Sequence, residues 1–360
     1  MFTNPSENSL MSNIHYKYDI SFDIIQLIER SNIDIEALRG KKIFVTGGTG
    51  FFGVWFLAAL IQIKKSLNGN LHIISLSRSP EKFLQTYSVI NFRDSVEFIQ
   101  GDVQNFTYSY GDVTHLVHMA TTSANETFFG EDQLNKLEML YFGTKNTILQ
   151  CSGILESVLF TSSGVAYGVN KNDFISEYDF TSPDTTDLGS ALGLGKLNAE
   201  YLINYFASQE NYKFAIARCF ALAGQYLPLN LHYAFGNFIS NAVNGQPISI
   251  NGNGLDQRSY LYIGDAISWL LRMLMNPTNK IYNVGSEKSI SMYDLAQKIS
   301  SKYGENLGVK VLEKNQEIGN FKRASYTPST KRARTDYIGI KEWTSIDEII
   351  EKMLKLQFIS

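Results

Sequence analysis

The residues best placed to do chemistry in this chain are three glycines, Gly47, Gly50 and Gly53, set between the apolar run 42–46 and a second apolar run at 54–63. An extended run broken by glycines and resumed at helical period reads as strand, tight turn, helix. Such a turn gathers backbone N–H groups and a helix N-terminus at one point, which suits the diphosphate of a dinucleotide. A Cβ there would hold the phosphate off the backbone. Cofactor contacts are therefore expected at Gly47, Thr49, Gly50, Phe51, Phe52 and Gly53. A plain strand-to-helix turn would use the same glycines, but the flanking strand and helix favour the binding reading.

About 25 residues past the glycines, an NAD binder carries an acid for the adenosine ribose. This chain instead ends its second apolar run, 71–78, on Ser77 and Arg78. A hydroxyl followed by a guanidinium suits a 2′-phosphate, so NADP is the expected cofactor and NAD the alternative. Asp102, with Val103, closes a third strand and could meet the adenine amino group; a fourth strand, 114–120, would end facing the cofactor at Ala120, followed by Thr121, Thr122 and Ser123. His115 and His118 fall on opposite faces of that strand and cannot pair as metal ligands, so structural roles are expected. Cys151 and Cys219 read as small buried core residues, and no metal site is expected.

The elements that must position these groups follow from pattern. Strands also read at 157–163 and 213–221, and helices at 134–150 and 196–206. This alternation predicts an α/β fold, a doubly wound parallel (Rossmann) sheet with helices on both faces. Residues 1–18 read as a loose terminus, and 20–38 as one or two short helices within an extension spanning 1–40. The dinucleotide-binding domain is expected at 41–222. A smaller C-terminal substrate-binding lobe, interleaved with late Rossmann elements, is expected at 223–360. Asp265 is expected to cap a helix at 266–275. A net charge of −3 offers no basic stripe, so nucleic acid is not an expected partner. The run 56–63 is too short to span a membrane and the first 14 residues are polar, so a cytoplasmic protein is expected.

Six segments in order resemble the extended short-chain dehydrogenase/reductase family, the NAD(P)-dependent nucleotide-sugar epimerases and dehydratases. They are 47–53, 101–103, 161–168, 195–200, 252–260 and 282–286, and the likeness runs from about 41 to about 346. The family works with a Ser or Thr, a Tyr and a Lys, the last two four apart on a helix. That spacing sets an ammonium beside a phenol and lowers its pKa towards working pH. The resemblance makes Ser163 the hydroxyl that bonds the reacting oxygen and Lys196 the lysine, which also bonds the nicotinamide ribose. Thr161 joins the cofactor contacts by the same likeness.

Four residues before Lys196, however, stands Leu192, which transfers no proton. Three readings stay open: Tyr167, Ser163 or a water takes the proton; the protein binds nucleotide and sugar without turnover; or Leu192 inactivates an otherwise active enzyme. Tyr201, five residues past Lys196, has left that helix face.

Family 4,6-dehydratases carry an Asp-Glu pair after the catalytic Ser or Thr, where this chain has Gly164 and Val165, so dehydration is disfavoured. Epimerisation or reduction of a keto-sugar is left. The resemblance implies a nucleotide-activated sugar as substrate, contacted by Asn237 and clamped by Arg258. Ser123 is a further expected substrate contact, and His232 either lines the sugar pocket or is structural, as a lone histidine in an apolar stretch more often is. It also implies a homodimer paired through helices such as 134–150. Arg323, Lys331 and Arg332 read as a solvated basic face.

Overall fold

The computed structural model describes residues 16–108, 111–122, 130, 132–170, 172–229, 231, 233–303, 307–312 and 325–355. Ser123, His232 and Arg323 lie outside the described residues.

Strand β1, Lys42–Thr46, lies at the centre of a seven-stranded sheet. Its partners are β2 (His72–Ser77), β3 (Glu97–Gln100), β4 (His115–His118), β5 (Ser157–Ser163) and β6 (Lys213–Cys219), in spatial order 3-2-1-4-5-6, with the strand Lys280–Val284 added outside β6. All pairings are parallel. Both faces are covered, so the inner strands are buried almost throughout rather than in alternation, and only the edge strand β3 is half exposed. Along β1, Ile43 and Val45 point into one core while Phe44 points into the other.

Helix α2, Phe51–Ser66, is buried along most of its length, from Gly53 to Ile61 without a break. A helix apolar all round must be packed on every side, and α2 is enclosed by the sheet, by α1 (Ser21–Ser31) and by the helix Ile263–Met275. The expected N-terminal helices are present as α1 and a short turn at Ile35–Leu38. Asp23 of α1 ties this extension to the far end of the chain, accepting hydrogen bonds from Tyr18, Gln225 and Lys352.

The helix predicted at 196–206 is longer, Ala191–Glu210, which brings Leu192 into its first turn. One expectation is corrected. The helix near Asp265 begins at Ile263, so Asp265 sits inside its first turn and is not the cap. Its buried carboxylate instead accepts the N–H groups of Trp343 and Thr344, each at 2.9 Å, and holds the C-terminal segment against the body. Burial pushes its pKa up to about 6.

Candidate active site

An open cleft of ≈ 1990 Å³ runs along the C-terminal ends of the strands, from Arg78 past the glycine turn to Arg258. Parallel sheets bind ligands at this edge, where the strand order reverses.

At its cofactor end each glycine is required for its own reason. Gly47 has φ +71°, and a Cβ on it would come within 2.5 Å of the Met119 carbonyl carbon at the end of β4. A Cβ on Gly53 would lie 2.2 Å from the Gly47 carbonyl oxygen, so this glycine lets α2 pack against the turn rather than admitting a phosphate. Gly50 alone opens outward, its nearest neighbour 3.5 Å away. It is the N-cap of α2, and no side chain caps that helix. The first-turn N–H groups at Phe51, Phe52 and Gly53 thus have no intrahelical acceptor and face the cleft. This uncapped helix end beside an open Cα is what a diphosphate fits.

Ser77, Arg78, Asp102, Val103, Ala120, Thr161 and Thr49 all line the same cleft. Ser77 is buried and accepts a hydrogen bond from the Ser79 N–H, whereas Arg78 is exposed. Asp102 accepts from the Gln104 N–H, which shapes the turn after β3.

Lys196 is buried, and its Nζ donates to the Thr161 carbonyl at 2.8 Å while lying 4.8 Å from the centre of the Phe160 ring. Burial lowers its pKa to about 8, against the opposing pull of Cys219 and Glu200. Ser163 ends β5, and its Oγ accepts the Val165 N–H at 3.3 Å. Leu192, Ser163 and Lys196 line the cleft together. Leu192 sits in the first turn of the helix, four residues before Lys196, on the wall of the cleft.

Two tyrosines near this corner have opposite fates. Tyr167, one of the substitutes considered for Leu192, is fully buried and donates to Asn283 Oδ1 at 2.8 Å, with the Arg218 guanidinium 4.3 Å from its ring centre. It does not line the cleft and its hydroxyl is committed to Asn283, so it is excluded as the proton acceptor; burial pushes its pKa to about 12. Tyr201 is 67% exposed on the outer face of its helix. Tyr326, which the sequence did not single out, does line the cleft. It lies on the strand Ser325–Tyr326, paired with the strand Gln257–Ser259 so that Tyr326 is level with Arg258. No motif or spacing marks it, because it arrives from the far end of the chain.

On the substrate side, Asn237 and Arg258 line the cleft. Asn237 donates to the Leu231 carbonyl at 2.8 Å, and Arg258 Nη1 to the Gln257 carbonyl at 3.0 Å. Arg332 points elsewhere, bonding the Ile281 carbonyl and stacking over Tyr178. His118 is buried between Thr46 and Thr144, bonded to both, and burial lowers its pKa to about 3. It is a structural histidine. Both cysteines are buried thiols with raised pKa, and no group of His, Cys, Asp or Glu that could hold a metal occurs among the described residues.

A glycine cradle at the topological switch of a parallel sheet, facing a buried lysine and a serine hydroxyl, defines a dinucleotide-dependent enzyme of the doubly wound class. Residues 43–285 match the model of the NAD dependent epimerase/dehydratase family, and the chain belongs to that family of enzymes. Among curated relatives, UDP-glucuronic acid decarboxylase 6 of Arabidopsis thaliana is 22% identical over 274 residues, covering 76% of this chain and 77% of the relative. The epimerase Mth375 of Methanothermobacter thermautotrophicus superposes with a TM-score of 0.73 at 20% identity, over 93% of this chain and 96% of that one. UDP-glucuronic acid 4-epimerase of Bacillus cereus, solved with NAD, gives a TM-score of 0.72 at 20% identity, over 88% and 99%. No helix among the described residues is long and apolar enough to cross a membrane.

Proposed function

We propose that this protein is a cytoplasmic enzyme that modifies a nucleotide-activated sugar by hydride transfer at a sugar carbon, either inverting that carbon or reducing a keto-sugar. The observation that carries the reading is one cleft holding the open, uncapped α2 terminus at Gly50, the Ser163 and Lys196 pair, and Arg258. The names of the relatives, UDP-sugar decarboxylases and epimerases, agree with it.

The nicotinamide cofactor supplies a hydride acceptor and donor. The turn residues Gly47, Thr49, Gly50, Phe51, Phe52 and Gly53 would hold its diphosphate, and Asp102, Val103, Ala120 and Thr161 would line its remaining length. Lys196, already anchored on the Thr161 carbonyl, would bond the nicotinamide ribose. Its buried cation also lowers the cost of negative charge on a sugar oxygen. Ser163 holds that oxygen. Arg258 binds the sugar diphosphate with a two-pronged guanidinium, and Asn237 supports it. Gly164 and Val165 supply neither the acid nor the base of an elimination, so dehydration is not the reaction. Ser77 and Arg78 favour NADP over NAD, because a guanidinium in place of an acid accepts a 2′-phosphate.

The enzyme works as a homodimer. Helix Gln133–Cys151 packs on helix Ala191–Glu210, and their outer faces expose Leu134, Tyr141, Phe142, Leu149, Tyr201 and Tyr205. An apolar stripe on paired helices is covered when two copies meet; sedimentation giving only monomer would remove this part.

The test of the main reading is incubation of purified protein with NAD, NADH, NADP and NADPH and a panel of nucleotide sugars, including UDP-glucose, UDP-glucuronic acid and a UDP-4-keto-hexose. Conversion of one sugar, seen by chromatography and at 340 nm, is the expected outcome. Neither cofactor binding nor conversion with any of them would end it.

A further inference from the structure

We infer that Tyr326 replaces the lost phenol at Leu192, donating the proton to the sugar oxygen that Ser163 holds. The assignment rests on the hydride-transfer reading above.

The first support is geometric. The Tyr326 ring packs 4.6 Å from Phe220, and its hydroxyl lies 2.5 Å from where a Cβ on Gly164 would stand. Gly164 follows Ser163 directly, so the Tyr326 hydroxyl reaches the corner where Ser163 ends β5. The Ser163 hydroxyl is close enough to pull the phenol's pKa down. Both side chains line the cleft with Leu192, Lys196 and Arg258.

The second support is that this one side chain accounts for both departures from the family pattern. Gly164 stands where dehydratases carry an acid, and any side chain there would collide with the Tyr326 hydroxyl and ring. Leu192 stands where the phenol normally projects, and with a hydroxyl delivered from another element of the cleft that position is free to be apolar. A single tyrosine brought in on the strand beside Arg258 thus makes both replacements tolerable.

The proton balance fixes which half-reaction Tyr326 serves. Burial raises its pKa, the Ser163 bond and the Arg258 charge pull it down, and Cys219 and Tyr167 raise it further. The net effect is upward, and a phenol neutral at pH 7 can serve only as the donor, when the ketone is reduced. A hydride from the reduced nicotinamide adds to a ketone carbon of the sugar; the carbonyl π pair moves onto oxygen; that oxygen takes the proton from Tyr326 Oη. The phenolate is reprotonated by water from the open cleft.

The experiment compares wild type, Tyr326→Phe and the double variant Tyr326→Phe/Leu192→Tyr. Phenylalanine keeps the packing on Phe220 and removes only the hydroxyl. Reduction of the UDP-4-keto-hexose should fall by about 10²- to 10⁴-fold in kcat in the single variant, with the Kd for NADH and NADPH within about threefold and the melting temperature unchanged. The double variant should regain at least tenfold, a rescue that a packing role would not give. A readout independent of turnover is the ¹³Cζ resonance of labelled tyrosine that vanishes in Tyr326→Phe; it should move in Ser163→Ala. An active wild type with unchanged kcat in Tyr326→Phe, or a resonance indifferent to Ser163→Ala, overturns the assignment alone. A wild type that inverts a sugar but reduces none overturns the assignment alone, and one that does neither removes the functional reading and the assignment with it.

Discussion

The two ends of the cleft are built in opposite ways. The cofactor end is local: β1, the turn at 47–50 and α2 are consecutive, and the groups proposed to bind are backbone N–H groups whose placement follows from glycine spacing. The end proposed for proton transfer is assembled from β5, the start of the helix Ala191–Glu210 and the strands at Gln257–Ser259 and Ser325–Tyr326. A backbone site tolerates almost no change at its glycines yet is indifferent to neighbouring side chains. A side-chain site can trade a residue on one wall for a residue on another. The lesson is that a missing catalytic residue in a helix motif tests only one wall of the site.

The sharpest break of this comparison is at the glycines themselves. Gly53→Val puts side-chain atoms against the Gly47 carbonyl, where even a Cβ would stand 2.2 Å away. We expect a loss of about 3 kcal/mol or more in thermal unfolding, together with loss of cofactor binding. Gly50→Ala, in open space, should leave stability within ~1 kcal/mol while weakening cofactor affinity about tenfold or more by fluorescence titration. Equal effects in the two variants would show that the turn has no phosphate-facing side.

Lys196→Met probes the junction of the two ends. Turnover should drop about 10²- to 10⁴-fold, yet the cofactor-free protein should become more stable at pH 7. Unfolded Lys196 keeps its proton to about pH 10.5, whereas the folded group releases it near 8. The unfolded state therefore binds more protons between those values, and wild-type stability rises with pH across that window. Below pH 8 the whole penalty, about 3 kcal/mol, is present, so the gain from methionine should appear there and vanish by pH 10.5. A urea denaturation series against pH reads this directly.

At the substrate end, Arg258→Lys should raise the nucleotide-sugar KM about tenfold with kcat little changed, because lysine cannot grip two phosphate oxygens. An effect confined to kcat would move Arg258 from the diphosphate to the reacting centre. The smallest expected effect is at the adenosine edge, where Arg78→Ala should shift the NADP-to-NAD preference by about fivefold to tenfold towards NAD. No shift in that ratio would leave Arg78 as a solvated residue at the end of β2.

The sequence alone determined the strand-turn-helix at Gly47 to Gly53 and the parallel sheet, because each follows from period or glycine spacing, while the family resemblance pointed to Ser163 and Lys196, which line one cleft. It also exposed the gap at Leu192. Only the tertiary structure decided that Tyr167 is buried against Asn283, that Asp265 anchors the segment at 343–344 instead of capping its helix, and that Tyr326 enters the site. The physical reason is that backbone turns and helix faces are fixed by neighbours within a few residues, whereas which side chain crosses a cleft depends on how distant strands pair, and pairing leaves no mark in local spacing.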